Sequence, residues 1–187
     1  QASDLVLNRT YALINGEIEQ LKTGFSKYDD DVGGIFSNEM ILCAGRPGEG
    51  KSALALSIIN HVAITQGKPV LFFTLEMSTH ETICRLICQL TGLPYKNVYQ
   101  GKLNGGEWEQ YLEAKERISK APIFFDETPS STVSEIRSKI RKMQDKKLAL
   151  IVIDQLEQVG GYASLKTFER LDRNAYEIKS LTKAFDT

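Results

Sequence analysis

The sequence predicts an α/β fold in which a mainly parallel sheet is flanked by helices. Three observations carry that prediction. Short, continuously apolar runs recur along the chain and are bounded by Gly, Pro or Asp. Each is followed by a longer segment with helical spacing of its apolar residues. Strands buried on both faces read as unbroken apolar runs, and their alternation with helices is the pattern of a parallel, doubly covered sheet. The third is a glycine-rich loop, Gly45-Arg46-Pro47-Gly48-Glu49-Gly50-Lys51-Ser52, set between an apolar run and a helical segment.

The chain has 187 residues, 42% hydrophobic and 25% charged, which suits one globular domain with a proper core. Its formal net charge of −1 supplies no bulk attraction to nucleic acid, so binding of that kind must come from a local basic patch or an oligomeric channel. The three cysteines, Cys43, Cys84 and Cys88, are too few and odd in number for a disulfide scaffold, and predict a reducing, cytoplasmic setting. No apolar run reaches the roughly 18 residues that span a bilayer, and Gln-Ala-Ser-Asp at the start lacks the basic-then-apolar order of a signal peptide.

In chain order, residues from about Ser3 to Ile14 carry Leu5, Leu7, Tyr11, Ala12 and Ile14 behind a Ser/Asp cap, predicting a short helix suited to packing on a neighbour. A turn-rich passage from Thr23-Gly24-Phe25 to Gly33-Gly34 introduces a predicted buried strand, Met40 to Ala44. Helix Lys51 to Thr65, strand Pro69 to Leu75 and helix Thr79 to Leu90 follow. After a polar excursion through Tyr111 come strand Ala121 to Phe125, helix Thr132 to Lys146, strand Leu148 to Ile153, a glycine-containing segment Gly160 to Ser164, and helix Phe168 to Phe185. No internal repeat is visible.

The loop has the spacing G-x-x-x-x-G-K-[ST] of a phosphate-binding P-loop. Gly45, Gly48 and Gly50 let backbone N–H groups wrap around phosphate oxygens, while Arg46, Pro47 and Glu49 fill the variable positions. The helix that follows adds its positive end. Lys51 is expected to reach the β- and γ-phosphates of ATP, and the Ser52 hydroxyl to enter the shell of Mg²⁺. Asp154 ends the run Leu148 to Ile153, where ligands of open α/β sheets collect, and is the second expected Mg²⁺ residue. Hydrolysis also needs a group to orient or deprotonate water. Glu76, after a strand expected to lie beside the P-loop strand, is the leading candidate. Glu157 competes, and Glu49 is a weaker rival with its side chain expected to face solvent.

With these residues in place, the sequence resembles the C-terminal motor domain of DnaB-type replicative helicases, a RecA-like P-loop NTPase core. The carrying segments are Thr23-Gly24-Phe25 with Gly33-Gly34, Ala44-Gly45-Arg46-Pro47, Leu75-Glu76-Met77-Ser78, Gly101-Lys102-Leu103, Ala121-Pro122-Ile123, Asp126-Glu127-Thr128-Pro129 and Ile151-Val152-Ile153-Asp154. The resemblance implies that Glu76 activates water, that residues 1–22 form a linker or arm helix docking on an adjacent subunit, and that residues 23–187 form the ATPase domain. It further implies a homohexamer on single-stranded or forked DNA, with primase and a helicase loader as partners. Where the family usually has Asp-Tyr-Leu-Gln-Leu, this chain has Asp154-Gln155-Leu156-Glu157-Gln158, suggesting a divergent, phage- or plasmid-type member. The family's sensor strand and arginine finger are expected beyond Thr187, so that this chain alone would hydrolyse ATP weakly.

Other features have plainer readings. The basic residues Arg137, Lys139, Arg141, Lys142, Lys146 and Lys147 read as a solvated helix face, though phosphate contact is the alternative. Gly160-Gly161-Tyr162 with Lys166 and Arg170 lies where the resemblance places a DNA-facing loop. Cys84 and Cys88 read as small buried residues, and Trp108 with Tyr111 as the anchor of a short helix. Two other functions share the core: a RecA-like ATPase without unwinding activity, and a P-loop kinase. The second lacks an obvious Arg-rich lid.

Overall fold

Three parallel strands organise the chain: β1 (Val70–Thr74), β2 (Ile123–Asp126) and β3 (Leu150–Asp154), in the order β2-β1-β3. The computed structural model describes residues 2–16 and 20–185. β1 is central and wholly buried. Its register sets Val70 against both Ile123 and Leu150, and Thr74 against Asp154. Alternation along β1 feeds two cores. Val70 and Phe72 join Leu56, Ile59, Leu86, Ile87 and Ala114 on one face, and Leu71, Phe73 and Leu75 join Val133, Ile136, Ile140 and Leu181 on the other.

The helices that supply those faces are α3 (Lys51–Ile59), α4 (Thr79–Thr91) and α6 (Gly105–Lys120) on the first side, and α7 (Val133–Lys142) and α8 (Thr167–Phe185) on the second. α3 runs on into a π-helical turn, Asn60–Thr65, closed by the Gln66 N–H on the His61 carbonyl. Gln89 of α4 donates to the Ala53 carbonyl and the Ser57 hydroxyl, both at 3.0 Å, and so fixes α3 against α4. Capping boxes start α4 (Ser78 with Glu81), α6 (Asn104 with Glu107) and α7 (Thr132 with Glu135), each satisfying orphan N–H groups reciprocally.

Several expectations change. The run Met40 to Ala44 is not a strand, and Ile41 and Leu42 are 52% and 62% exposed. Both edges of β1 are taken by β2 and β3, so this segment has no place beside it, and a cleft separates it from β3. The passage from Gly24 to Gly33 holds a short helix, α2 (Ser26–Val32), whose Asp29 carboxylate accepts from the Thr23 and Gly24 N–H groups. The polar excursion contains α5 (Tyr95–Gln100) and the 16-residue α6, announced in sequence by Asn104 three residues before Glu107. The expected helix 132–146 ends at Lys142 and continues as a 3-10 turn.

The first helix forms as α1 (Ala2–Ile14), with Val6, Leu7, Tyr11 and Ile14 exposed; the Leu5 side chain lies outside the described residues. Arg9 ties α1 to the body through Glu39 at 3.7 Å and the Phe36 ring. Cys84 is buried and Cys88 half-buried, and burial pushes both thiols up, as suits small core residues. Among the described residues, no helix is long and apolar enough to cross a membrane.

Phe72 is fully buried at the centre of the first core. Phe72→Ala is expected to cost about 3–5 kcal/mol. Urea unfolding checks this through a lower midpoint at unchanged slope.

Candidate nucleotide site

The P-loop joins the unpaired segment 40–44 to α3. Gly48 and Gly50 have φ of +82° and +90°, backbone conformations that L side chains adopt only with strain. Nothing lies within 4 Å of a Cβ built at either position, so the constraint there is the backbone's own. Gly50 caps α3, and the N–H groups of the first turn follow directly. Lys51 Nζ folds back onto the loop, donating to the Gly45 carbonyl at 2.8 Å and the Arg46 carbonyl at 3.2 Å. The ammonium is thus held beside the loop by neutral acceptors.

Glu49 keeps its expected exposure and adds a contact to the loop. It is exposed, but its carboxylate turns into the loop and accepts the Arg46 N–H at 2.8 Å, which stabilises the turn by a charge-assisted bond. A Cβ at Gly45 would lie 2.9 Å from the same carboxylate, so a side chain there would displace the flexible end of Glu49 from this contact.

Asp154 closes β3 and is 7% exposed. Its carbonyl accepts the Leu75 N–H at 2.8 Å, which extends the β1–β3 pairing by one residue. Its Oδ2 is buried without a hydrogen-bond partner among the described residues. A buried, unsatisfied carboxylate oxygen is costly unless something pairs with it, and a divalent cation is the partner its chemistry favours. No group of three or more His, Cys, Asp or Glu residues that could hold a metal exists among the described residues. Mg²⁺ usually takes one or two protein carboxylates and completes its shell from phosphates and water.

Glu76 sits just past β1, exposed, on a backbone fixed from three directions. The Thr74 hydroxyl donates to the Met77 carbonyl at 2.6 Å, Leu75 N–H bonds Asp154, and Thr79 N–H donates to the Glu127 carboxylate at 2.8 Å. The Thr79 bond also holds the Glu127 carboxyl below its ordinary value. The Glu76 carboxylate itself accepts from Nε2 of Gln155. The expected adjacency of the Glu76 strand and the P-loop segment is not found, because β3 lies at that edge of β1.

A cleft of about 1400 Å³ lies between segment 40–45 and β3. Gly45 and Lys51 line one wall, and Asp154, Gln155 and Glu157 the other. Ser52, half-buried on the first turn of α3, and Glu76 are not among its lining residues. Glu157 is exposed on a 3-10 turn, Leu156–Gln158. α8 closes one side and fixes the approach to the P-loop: Lys179 and Thr182 both donate to the Asn38 carbonyl at 3.1 Å.

The basic residues of α7 and its end are exposed except Lys139, which pairs with Asp126 at 2.7 Å and donates to the Ser131 hydroxyl. In the 160–166 loop, Tyr162 donates to the Glu177 carboxylate and lies under the Arg173 guanidinium, tying this loop to α8.

A parallel sheet covered on both faces, with a P-loop and a strand-end aspartate opening on one cleft, defines a RecA-like α/β P-loop domain. The chain matches the DnaB-like helicase C terminal domain family over residues 20–187, and it belongs to that family. It is similar to the replicative DNA helicase DnaB of Geobacillus stearothermophilus, 36% identical over 171 residues that make up 91% of this chain and 37% of that protein. The replicative DNA helicase DnaC of Bacillus subtilis (strain 168) is 32% identical, over 90% of this chain and 38% of that protein. The chain therefore spans less than two fifths of the length of these relatives. Among solved structures, a DnaB-like replicative helicase studied with primase superposes with a TM-score of 0.88 at 22% identity, covering 98% of this chain and 46% of that one. A second solved structure, an ATPase domain, superposes at 0.87 and 24% identity, covering 98% of this chain and 68% of that one.

Burial raises the Asp126 carboxyl, but hydrogen bonds from Lys139 and Thr128 and the Lys139 charge outweigh it and hold the group below its ordinary value. A carboxylate depressed on folding adds stability above its unfolded pKa, about 3.9, and loses it as pH falls through the lower folded value. Asp126→Asn should therefore lower stability at pH 7 by about 1–2 kcal/mol. Denaturation at several pH values should show that deficit narrowing below about pH 4.

Proposed function

We propose that this chain is the ATP-hydrolysing motor of a replicative DNA helicase, with residues 1–22 as an arm and 23–187 as the ATPase domain. The observation that carries the proposal is the pairing of two half-sites across one cleft: a P-loop with Lys51 on one wall, and on the other the buried Asp154 carboxylate, whose Oδ2 has no hydrogen-bond partner among the described residues. Family membership and the relatives' names support the coupling of hydrolysis to DNA unwinding. The cargo strand is single-stranded or forked DNA, the working form a homohexamer in the cytoplasm, and primase and a loader its partners.

The residues divide the chemistry among them. The N–H groups around Gly48 and Gly50, with Arg46, Pro47 and Glu49 shaping the turn, cradle the phosphates, and Lys51 leaves the Gly45 and Arg46 carbonyls for the β- and γ-oxygens. Mg²⁺, when bound, neutralises charge building on those oxygens, and Ser52 and Asp154 are the residues that would hold it. Glu76 orients a water and takes its proton as the water oxygen bonds to the γ-phosphorus. The bond from that phosphorus to the bridging oxygen breaks, releasing ADP and phosphate. A kinase would need an acceptor in place of water, and a non-unwinding ATPase would keep every step but the last coupling. A forked-duplex displacement assay separates the latter.

In the native protein, Lys51→Ala should abolish ATP binding or turnover. Glu76→Gln should retain nucleotide while kcat falls about 10²–10⁴-fold, the usual weight of a general base. Filter binding and phosphate-release kinetics measure the two effects. Full turnover by Glu76→Gln would transfer the role to Glu157.

A further inference from the structure

We infer that Gln155 is a positioning residue for Glu76, an inference that rests on Glu76 being the water-activating group proposed above. The two residues come from distant parts of the sequence and meet because of strand register. Thr74 pairs with Asp154, and the Leu75 N–H bonds the Asp154 carbonyl, so the chain positions immediately beyond the paired ends of β1 and β3 face one another. There the Gln155 side-chain amide donates from Nε2 to Oε2 of Glu76. A carboxylate only accepts, so the amide must turn its NH₂ rather than its oxygen toward Glu76.

What this contact adds is definite, because the rest of the loop is already fixed. Thr74, Asp154 and Glu127 hold the backbone on either side of Glu76. The freedom left is rotation of an exposed, three-torsion side chain, and among the described residues Gln155 supplies the hydrogen bond that limits it. The donor is half-buried, follows Asp154 directly and lines the cleft, whereas Glu76 does not. Gln155 therefore links the carboxylate that would hold the cation to the carboxylate that would hold the water, through one peptide unit and one hydrogen bond.

The test uses the native protein and ATP with Mg²⁺. Gln155→Leu keeps the size of the side chain and removes the donor; Gln155→Glu keeps the shape and places a second carboxylate against Glu76. Both should lower kcat about 10–100-fold, the scale of a misplaced reacting group, with KM changed less than about twofold. Thermal unfolding should stay near that of the native protein. In a Glu76→Gln background, Gln155→Leu should cause no further loss in the residual rate. Unchanged kcat in both variants, or an equal loss with and without Glu76, overturns the positioning role. A fall in kcat matched by weaker nucleotide binding and a lower melting temperature assigns Gln155 a structural role instead. These outcomes are separate from failure of the Glu76 assignment, which shows as full turnover by Glu76→Gln alone.

Discussion

The parallel pairing of β1 with β3 is the constraint from which the rest of the site follows. It is a backbone interaction, five residue pairs long and sealed by the Leu75 to Asp154 bond, and both strands end together. Because strands in a parallel sheet point the same way, their C-terminal ends emerge at one edge, where the connecting loops leave room for a ligand. Asp154, Gln155 and Glu76 are gathered by that geometry alone. The apolar side chains of β1 then divide between two helical layers, so a one-residue slip of β1 would exchange Phe72 and Phe73 between cores and shift the site residues at the same time.

The polar network around the strand ends has a consistent purpose. Asp126, Lys139, Ser131, Glu127 and Thr79 bond one another or the neighbouring backbone, and none of them lies on the cleft wall. They make the end of β2 a rigid buttress for the loop after β1. The P-loop is stabilised differently. It is exposed, and its conformation is held by internal bonds from Lys51 and Glu49 together with the positive φ of Gly48 and Gly50.

Much of this was legible in the sequence, for identifiable reasons. The glycine-rich loop is a local pattern readable from its spacing alone, and Asp154 and Glu76 follow unbroken apolar runs whose ends are easy to place. Three of the expected strands formed as β1, β2 and β3. The run Met40 to Ala44 misled because apolarity signals burial in general, whereas strand formation needs a partner edge within reach, which only tertiary structure supplies. α6 was expected only as a short helix anchored by Trp108 and Tyr111, because its polarity hid its length, although its Asn104/Glu107 cap was present to be read. The Gln155 contact could not be read at all, because it depends on strand register and joins residues 79 positions apart. Glu49 is solvent-exposed as expected, and only the folded loop shows that its carboxylate also accepts the Arg46 N–H.

The central claim is that one nucleotide site is assembled across the cleft from the P-loop and the end of β3. The most direct measurement is the Mg²⁺ dependence of ATP affinity, by titration with a fluorescent ATP analogue, in the native protein and in Asp154→Asn. The account predicts that Mg²⁺ tightens binding to the native protein and that this gain is largely lost in the variant, while metal-free affinity is retained. An identical Mg²⁺ effect in both proteins would contradict it.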